Sequence, residues 1–198
     1  MFNIGAEYGF GERSRMIEVR FHGRGGQGAW TASLLLAHGG LKEGKYVQSF
    51  PAFGPERAGA PITAYTRISD EPIDIHSGIY EPDLVVVLDP TLLGPSVVEG
   101  LKPGGKIIIN TAESPAEIRR RLSLSEDVEV WTIDATSLAL EVLKRPITNT
   151  VMLGALLKAA GIVKLESLLE AVRERFKGEV GEMNVKVIET AYKEVKRG

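Results

Sequence analysis

Residues 23–28, Gly-Arg-Gly-Gly-Gln-Gly, combine backbone freedom, a guanidinium and an amide in six positions. Gly23, Gly25 and Gly28 satisfy G-x-G-x-x-G between an alternating strand pattern and a helical one. Glycines so placed let a backbone approach a pyrophosphate at a helix N-terminus. A dinucleotide site also needs an acidic residue about 20 positions further on, ending the second strand, to hold a ribose hydroxyl. Here the second strand pattern runs YVQSF into Pro51 without one, and Glu43 precedes it. A phosphate-binding loop of the Gly-Lys-Ser/Thr kind fares worse, because no Lys-Ser or Lys-Thr follows the glycines. Two readings stay open. One is a nest of amides that, with Arg24, holds an anion or a partner's carboxylate. The other is a tight turn that needs glycine for positive φ and close helix packing.

The second unusual segment is FPAFGPERAGAP at residues 50–61, with three prolines, two glycines, two phenylalanines and the charged pair Glu56 and Arg57. An apolar loop of this stiffness predicts a cover, either a partner subunit or the chain itself. His22, His38 and His76 lack metal-ligand spacing, and neither Ser33 nor Ser137 has an evident base. Asp89 and Asp134 end buried strands, where α/β proteins place functional groups and also helix caps. Arg119, Arg120 and Arg121 read as the solvated face of a short helix.

These groups must be held by a scaffold whose period is legible. Ile17, Val19 and Phe21 alternate with Glu18, Arg20 and His22, as in a half-buried strand. A helix is predicted over residues 29–41 and strands over 45–50 and 62–69, the latter forming a hairpin with 73–76 around Asp70-Glu71-Pro72. Residues 83–89 hold a continuous apolar run, Leu84 to Leu88 between Asp83 and Asp89, the mark of a strand covered on both faces. A helix over 92–101, a strand over 106–110, a helix capped by Ser114 with Pro115 and Glu117 behind it, a strand over 128–133 and a helix over 135–143 come next. Residues 149–160 are apolar on most faces and predict a buried helix. Two one-sided stripes complete the pattern, one through Leu165, Leu168, Leu169, Val172 and Phe176, the other through Val187, Ile188, Ala191, Tyr192 and Val195. The alternation predicts a single α/β domain, a mainly parallel sheet flanked by helices with a helical C-terminal segment.

At 198 residues and net charge −2 the chain suits one domain and has no general field for nucleic acid or an anionic membrane. No apolar stretch approaches a membrane span and no secretory signal opens the chain, so a cytoplasmic location is expected. Zero cysteines exclude disulfides, thiolate metal ligands and iron–sulfur ligation by this chain. Six Asn plus Gln against twenty Glu is a thermophile-like bias. The first fifteen residues carry three glycines and no period. They read as a flexible leader (residues 1–15) before a domain over 16–198, with Met16 an alternative start to Met1.

HGRGGQGAWTAS at the first strand–helix turn, SFPAFGPERAGAP after the second strand, DLVVVLD and the late NTVMLGAL occur in one order. Together they resemble the gamma subunit of 2-oxoacid:ferredoxin oxidoreductases, from Met16 to about Gly161 and more loosely beyond, the pyruvate enzyme being nearest. The resemblance implies a complex that joins a 2-oxoacid and coenzyme A into an acyl-CoA, releasing CO₂ and reducing ferredoxin. It implies alpha, beta and delta partners that hold thiamine diphosphate, Mg and [4Fe–4S] clusters, with none bound by this chain alone and no catalytic residue in it. On that footing Gly23, Arg24, Gly25, Gly26, Gln27 and Gly28, helped by Arg57, face the alpha/beta body and position the phosphates of coenzyme A. A purely structural interface is the rival, and an independent nucleotide-binding protein a third reading.

Overall fold

The computed structural model describes residues 16–52 and 58–198; the proposed leader and Arg57 lie outside them. A seven-stranded sheet runs in the order β2-β3-β1-β4-β5-β6-β7. Its strands are β1 (Ile17–Arg24), β2 (Tyr46–Pro51), β3 (Pro61–Ser69), β4 (Leu84–Val87), β5 (Lys106–Asn110), β6 (Glu129–Ile133) and β7 (Lys196–Arg197). The expected parallel centre is present: β1, β4, β5 and β6 pair in parallel. The flanks are antiparallel, β2 and β3 as a hairpin on one side and β7 on the other, so the sheet is mixed.

Apart from the helix expected over 92–101, the helices follow the sequence pattern. They are α1 (Ala29–Lys42), α2 (Pro95–Val98), α3 (Pro115–Leu122), α4 (Ala135–Leu143), α5 (Asn149–Ala160), α6 (Leu165–Arg175) and α7 (Gly178–Glu194). Ser114 and Glu117 close the anticipated reciprocal cap, with Glu117 accepting from the Ser114 amide at 2.7 Å. α5 is buried along nearly its whole length, and packs with α1, α6 and α7 on one face of the sheet through Val86, Ile108, Met152, Leu153 and Ile188. The opposite face is covered by α2 and α3 over Val85, Val87, Ile107 and Ile109. No helix among the described residues is long and apolar enough to cross a membrane.

Three expectations are corrected. Residues 73–76 are not a strand, because β3 already has β1 and β2 on its two edges and offers no free ladder. Side chains hold that segment instead. Gln48 Nε2 donates to the carbonyls of Ile73 (3.3 Å) and Ile75 (3.0 Å). Arg67, only 1% exposed, donates to Gly78 O at 3.1 Å while pairing with Glu18 at 2.9 Å. The helix expected over 92–101 breaks into a 3-10 turn at Pro90–Leu92 and the four-residue α2. The turn ends at Leu93, which is already extended, and Pro95 holds Gly94 extended as well, so the two pieces cannot join into one helix. Arg119 is not merely solvated: its guanidinium donates to the carbonyls of Ser125 (2.6 Å) and Val128 (2.8 Å).

Candidate functional site

β1 delivers Phe21 to the core and ends at the glycine turn, at the same end of the sheet as the C-termini of β4, β5 and β6. A Cβ at Gly23 would stand 3.2 Å from Ala29 Cβ, so α1 packs directly against its own strand there. Gly26 (φ +95°) and Gly28 (φ +79°) take the left-handed backbone, and a Cβ at Gly28 would fall 2.5 Å from Asn149 Nδ2. Gly28 also caps α1 without a side chain. The first amides of that helix, and those of Gly26 and Gly28, find no acceptor among the described residues.

Side chains fix the turn from below. Arg24 N donates to Gln27 Oε1 at 2.7 Å, and Gln27 N returns to Arg24 O at 3.0 Å. Gln27 Nε2 then donates to Asp89 Oδ2 at 2.6 Å. Arg24 is itself committed within the chain. Its Nε lies 3.3 Å from Asp89 Oδ2, Nη2 donates to Thr91 Oγ1 at 2.8 Å, and Nη1 to Gly59 O at 3.1 Å. The Gly25 amide donates to Ala60 O at 2.9 Å and the Gly59 amide to Gly25 O at 3.1 Å. The two motifs singled out in the sequence therefore meet: the end of the proline-rich loop lies along the glycine turn. Between them Gly26, Gly28, Trp30, Ala58 and Ile62 line an open pocket of ≈ 400 Å³, with Trp30 48% exposed.

Asp89 is the residue whose role the sequence leaves between function and capping, and in the structure it caps a turn and braces the glycine loop. It caps the 3-10 turn through Thr91 N (2.9 Å) and receives the turn's glutamine and arginine. Burial alone would raise its pKa; the hydrogen bonds from Thr91 and Gln27 and the charge of Arg24 outweigh it and hold the carboxyl below its ordinary value. Asp134 caps α4, accepting from Ser137 N (3.0 Å) and Ser137 Oγ (2.7 Å), and with Thr111, Thr132 and Ser137 it lines a cavity of ≈ 390 Å³.

The remaining nucleophile and base candidates do not come together. Ser33 is fully buried among the hydroxyls of Ser49 (2.7 Å) and Thr66 (2.8 Å) and donates to Tyr65 O, which fastens α1 to the hairpin. His22 accepts from Arg20 Nε at 3.0 Å, which places its own proton on Nδ1. Burial, and then the Arg20 charge, push its pKa down to about 4. His38 and His76 are exposed, and no group of three or more His, Cys, Asp or Glu that could hold a metal exists among the described residues.

A dinucleotide cofactor does not fit the turn. The strand beside β1 on that side is the antiparallel β3, and β2 lies at the sheet edge. On the β3 side no parallel strand brings its C-terminal end to the turn, and on the other side Asp89, just past the parallel β4, is taken up by Gln27 and Arg24. Asn149, 5% exposed under Gly28, is legible in the sequence only as a helix start. Its partner is brought in by the fold from a distant part of the chain, and no local pattern announces that.

A model of the family described as pyruvate ferredoxin/flavodoxin oxidoreductase matches residues 18–194. The chain is 57% identical over 178 residues to the pyruvate/ketoisovalerate oxidoreductases common subunit gamma of Thermococcus kodakarensis, spanning 89% of this chain and 96% of that one. The crystal structure of pyruvate oxidoreductase subunit PORC from Thermotoga maritima superposes with a TM-score of 0.84 at 42% identity, over 93% of this chain and 99% of that one. A 2-oxoglutarate:ferredoxin oxidoreductase from Magnetococcus marinus, solved with 2-oxoglutarate, coenzyme A and succinyl-CoA bound, gives 0.72 at 22% identity. That likeness spans 90% of this chain and 31% of the larger one, and is one of fold.

Proposed function

The chain belongs to the pyruvate ferredoxin/flavodoxin oxidoreductase family, among its gamma subunits, and from this we propose that it contributes a recognition surface, not reacting groups, to a larger enzyme. In this reading the complex decarboxylates pyruvate or a related 2-oxoacid, joins the acyl group to coenzyme A, and passes the two electrons to ferredoxin. Thiamine diphosphate with Mg, and [4Fe–4S] clusters, belong in this reading to the alpha, beta and delta partners, where they supply carbanion and electron-transfer chemistry. The donor set of this chain supports that division. Cluster ligation needs thiolates, and the chain contains no cysteine. A cytoplasmic location and a thermophilic source complete the proposal, the latter supported by the low Asn and Gln content.

The single observation that carries a role in coenzyme A recognition is the open turn itself. Gly26, Gly28 and the first turn of α1 present amides to a pocket bordered by an exposed indole. Amides converging at a helix N-terminus suit a phosphate, and an indole suits a flat base. Arg24 then holds the turn in shape through Asp89, Thr91 and Gly59, and lends its charge from that position. Arg57 is proposed to assist with its guanidinium.

In a reconstituted complex, Arg24→Ala raises the KM for coenzyme A at least about tenfold, the scale of a lost charge-assisted contact, and leaves the KM for the 2-oxoacid in place. An unchanged coenzyme A KM in fully assembled complex defeats this role. The rival, a purely structural interface, is favoured by the engagement of Arg24 within the chain. Under it the same substitution lowers the yield of assembly while the kinetics of intact complex stay as they were.

A further inference from the structure

On the far side of the first turn of α1 lies a second cavity, ≈ 480 Å³, between the end of α4, the segment joining it to α5, and the start of α7. Leu143, Ile147, Phe176, Val180 and Met183 make its wall apolar. Ile147 is 42% exposed and Val180 57%, so large aliphatic groups face solvent on both lips. Its charge is mainly basic, with Glu179 exposed beside Val180 as the acid on that lip. Arg145 borders the cavity, is exposed, and makes no ion pair among the described residues. Lys144 and Lys177 are exposed beside the lips, and Arg175 lies over the Phe176 ring at 5.3 Å. Glu182, the nearest acid along α7 to Met183, is held by Arg173 at 2.9 Å. Lys144 adopts φ +56°, a left-handed backbone costly for a side-chain-bearing residue, and this turn carries Arg145, Pro146 and Ile147 outward. At the floor, Asn149 is only 5% exposed; its Nδ2 lies under Gly28 and its Oδ1 accepts from Thr150 N at 2.8 Å.

We propose that this groove is a docking site for a companion subunit of the complex, receiving a segment that places one branched or aromatic side chain among Leu143, Ile147 and Val180 and a carboxylate against Arg145. The apolar wall sets the anchor, because a buried side chain ringed by excluded water carries most of the affinity of such contacts. The guanidinium of Arg145, without an ion pair among the described residues, selects an acidic neighbour for that anchor, since it donates and cannot accept. The groove shares the first turn of α1 with the glycine turn, through Thr31 on one side and Trp30 on the other. A segment seated here therefore holds the recognition surface against its neighbours. This inference rests on the gamma-subunit reading.

The test uses the chain co-expressed with its companion subunits. Val180→Asp and Arg145→Glu each weaken retention of the chain at least about tenfold by native mass spectrometry and surface-binding titration, and the Arg145→Glu effect shrinks at about 0.5 M salt. A benzophenone photo-crosslinker at position 147 captures a companion peptide bearing an apolar residue next to Asp or Glu. Both substituted positions are exposed, and thermal unfolding of the isolated variants reports their folding. Should Val180→Asp fail to fold, Arg145→Glu and Ile147→Ser decide the matter alone. Wild-type retention in the folded variants overturns the proposal, as does a crosslink to a second copy of this chain or to a peptide without a carboxylate. If wild-type chain joins no companion at all, the gamma-subunit reading falls first and the groove proposal falls with it.

Discussion

Gly28 meets two independent demands, a left-handed backbone and the absence of a Cβ over Asn149, whereas Gly26 meets only the first. The pair separates strain from collision. Gly26→Ala should cost about 1 kcal/mol, the ordinary penalty for a side chain at positive φ. Gly28→Ala should cost about 2 kcal/mol or more, because the asparagine must also move; denaturant unfolding of the two variants measures the difference. His22 gives a pH signature of its own. Its folded-state pKa of about 4 lies below the 6.5 of an unfolded imidazole, so the unfolded chain binds a proton first as pH falls. Stability is full above pH 6.5 and declines as pH drops toward about 4, by up to about 3 kcal/mol. His22→Gln should flatten that slope between pH 6.5 and 4 in urea titrations. The depressed Asp89 carboxyl acts in a lower window, its contribution being present above about 3.9 and lost below.

At the level of elements, α5 and α7 cross so closely that a Cβ at Gly154 would lie 2.3 Å from Ile188 O and 3.0 Å from Ala191 Cβ. A carbonyl within a helix cannot swing aside, so Gly154→Ala must push the two helices apart. A loss of about 2–3 kcal/mol in thermal unfolding is expected. Helix limits are legible in the sequence because their signals are local: Ser114-Pro115 with Glu117 starts α3, and the apolar run of NTVMLGALLKAA coincides with α5. The hairpin is not, because its partners, β2 and β3, are separated by the proline-rich loop, and nearness along the chain favours residues 73–76 instead. The site divides the same way. The glycine turn is written in six consecutive residues, while Gln27 reaches Asp89 across 62 positions and Arg24 reaches Thr91 across 67. Only the β1–β4 pairing brings those residues to one end of the sheet.

For the whole molecule, the two faces of the sheet are closed by different stretches of chain. Val85, Val87, Ile107, Ile109, Ile118 and Val130 seal one face with neighbours drawn from a single stretch of sequence. The other face needs α5 and α7, and Val86 and Ile108 remain uncovered until Met152, Leu153, Leu156 and Ile188 arrive. The pocket at the glycine turn and the apolar groove depend on this second closure, since Asn149 supports the glycine turn and also floors the groove. A polypeptide leaves the ribosome from its N-terminal end. The half-made chain therefore displays a strip of bare valine and isoleucine to the cell until its C-terminal helices have been synthesised. During that interval the uncovered strip is open to association with other chains, and the glycine turn and the groove take their form only once α5 and α7 have packed.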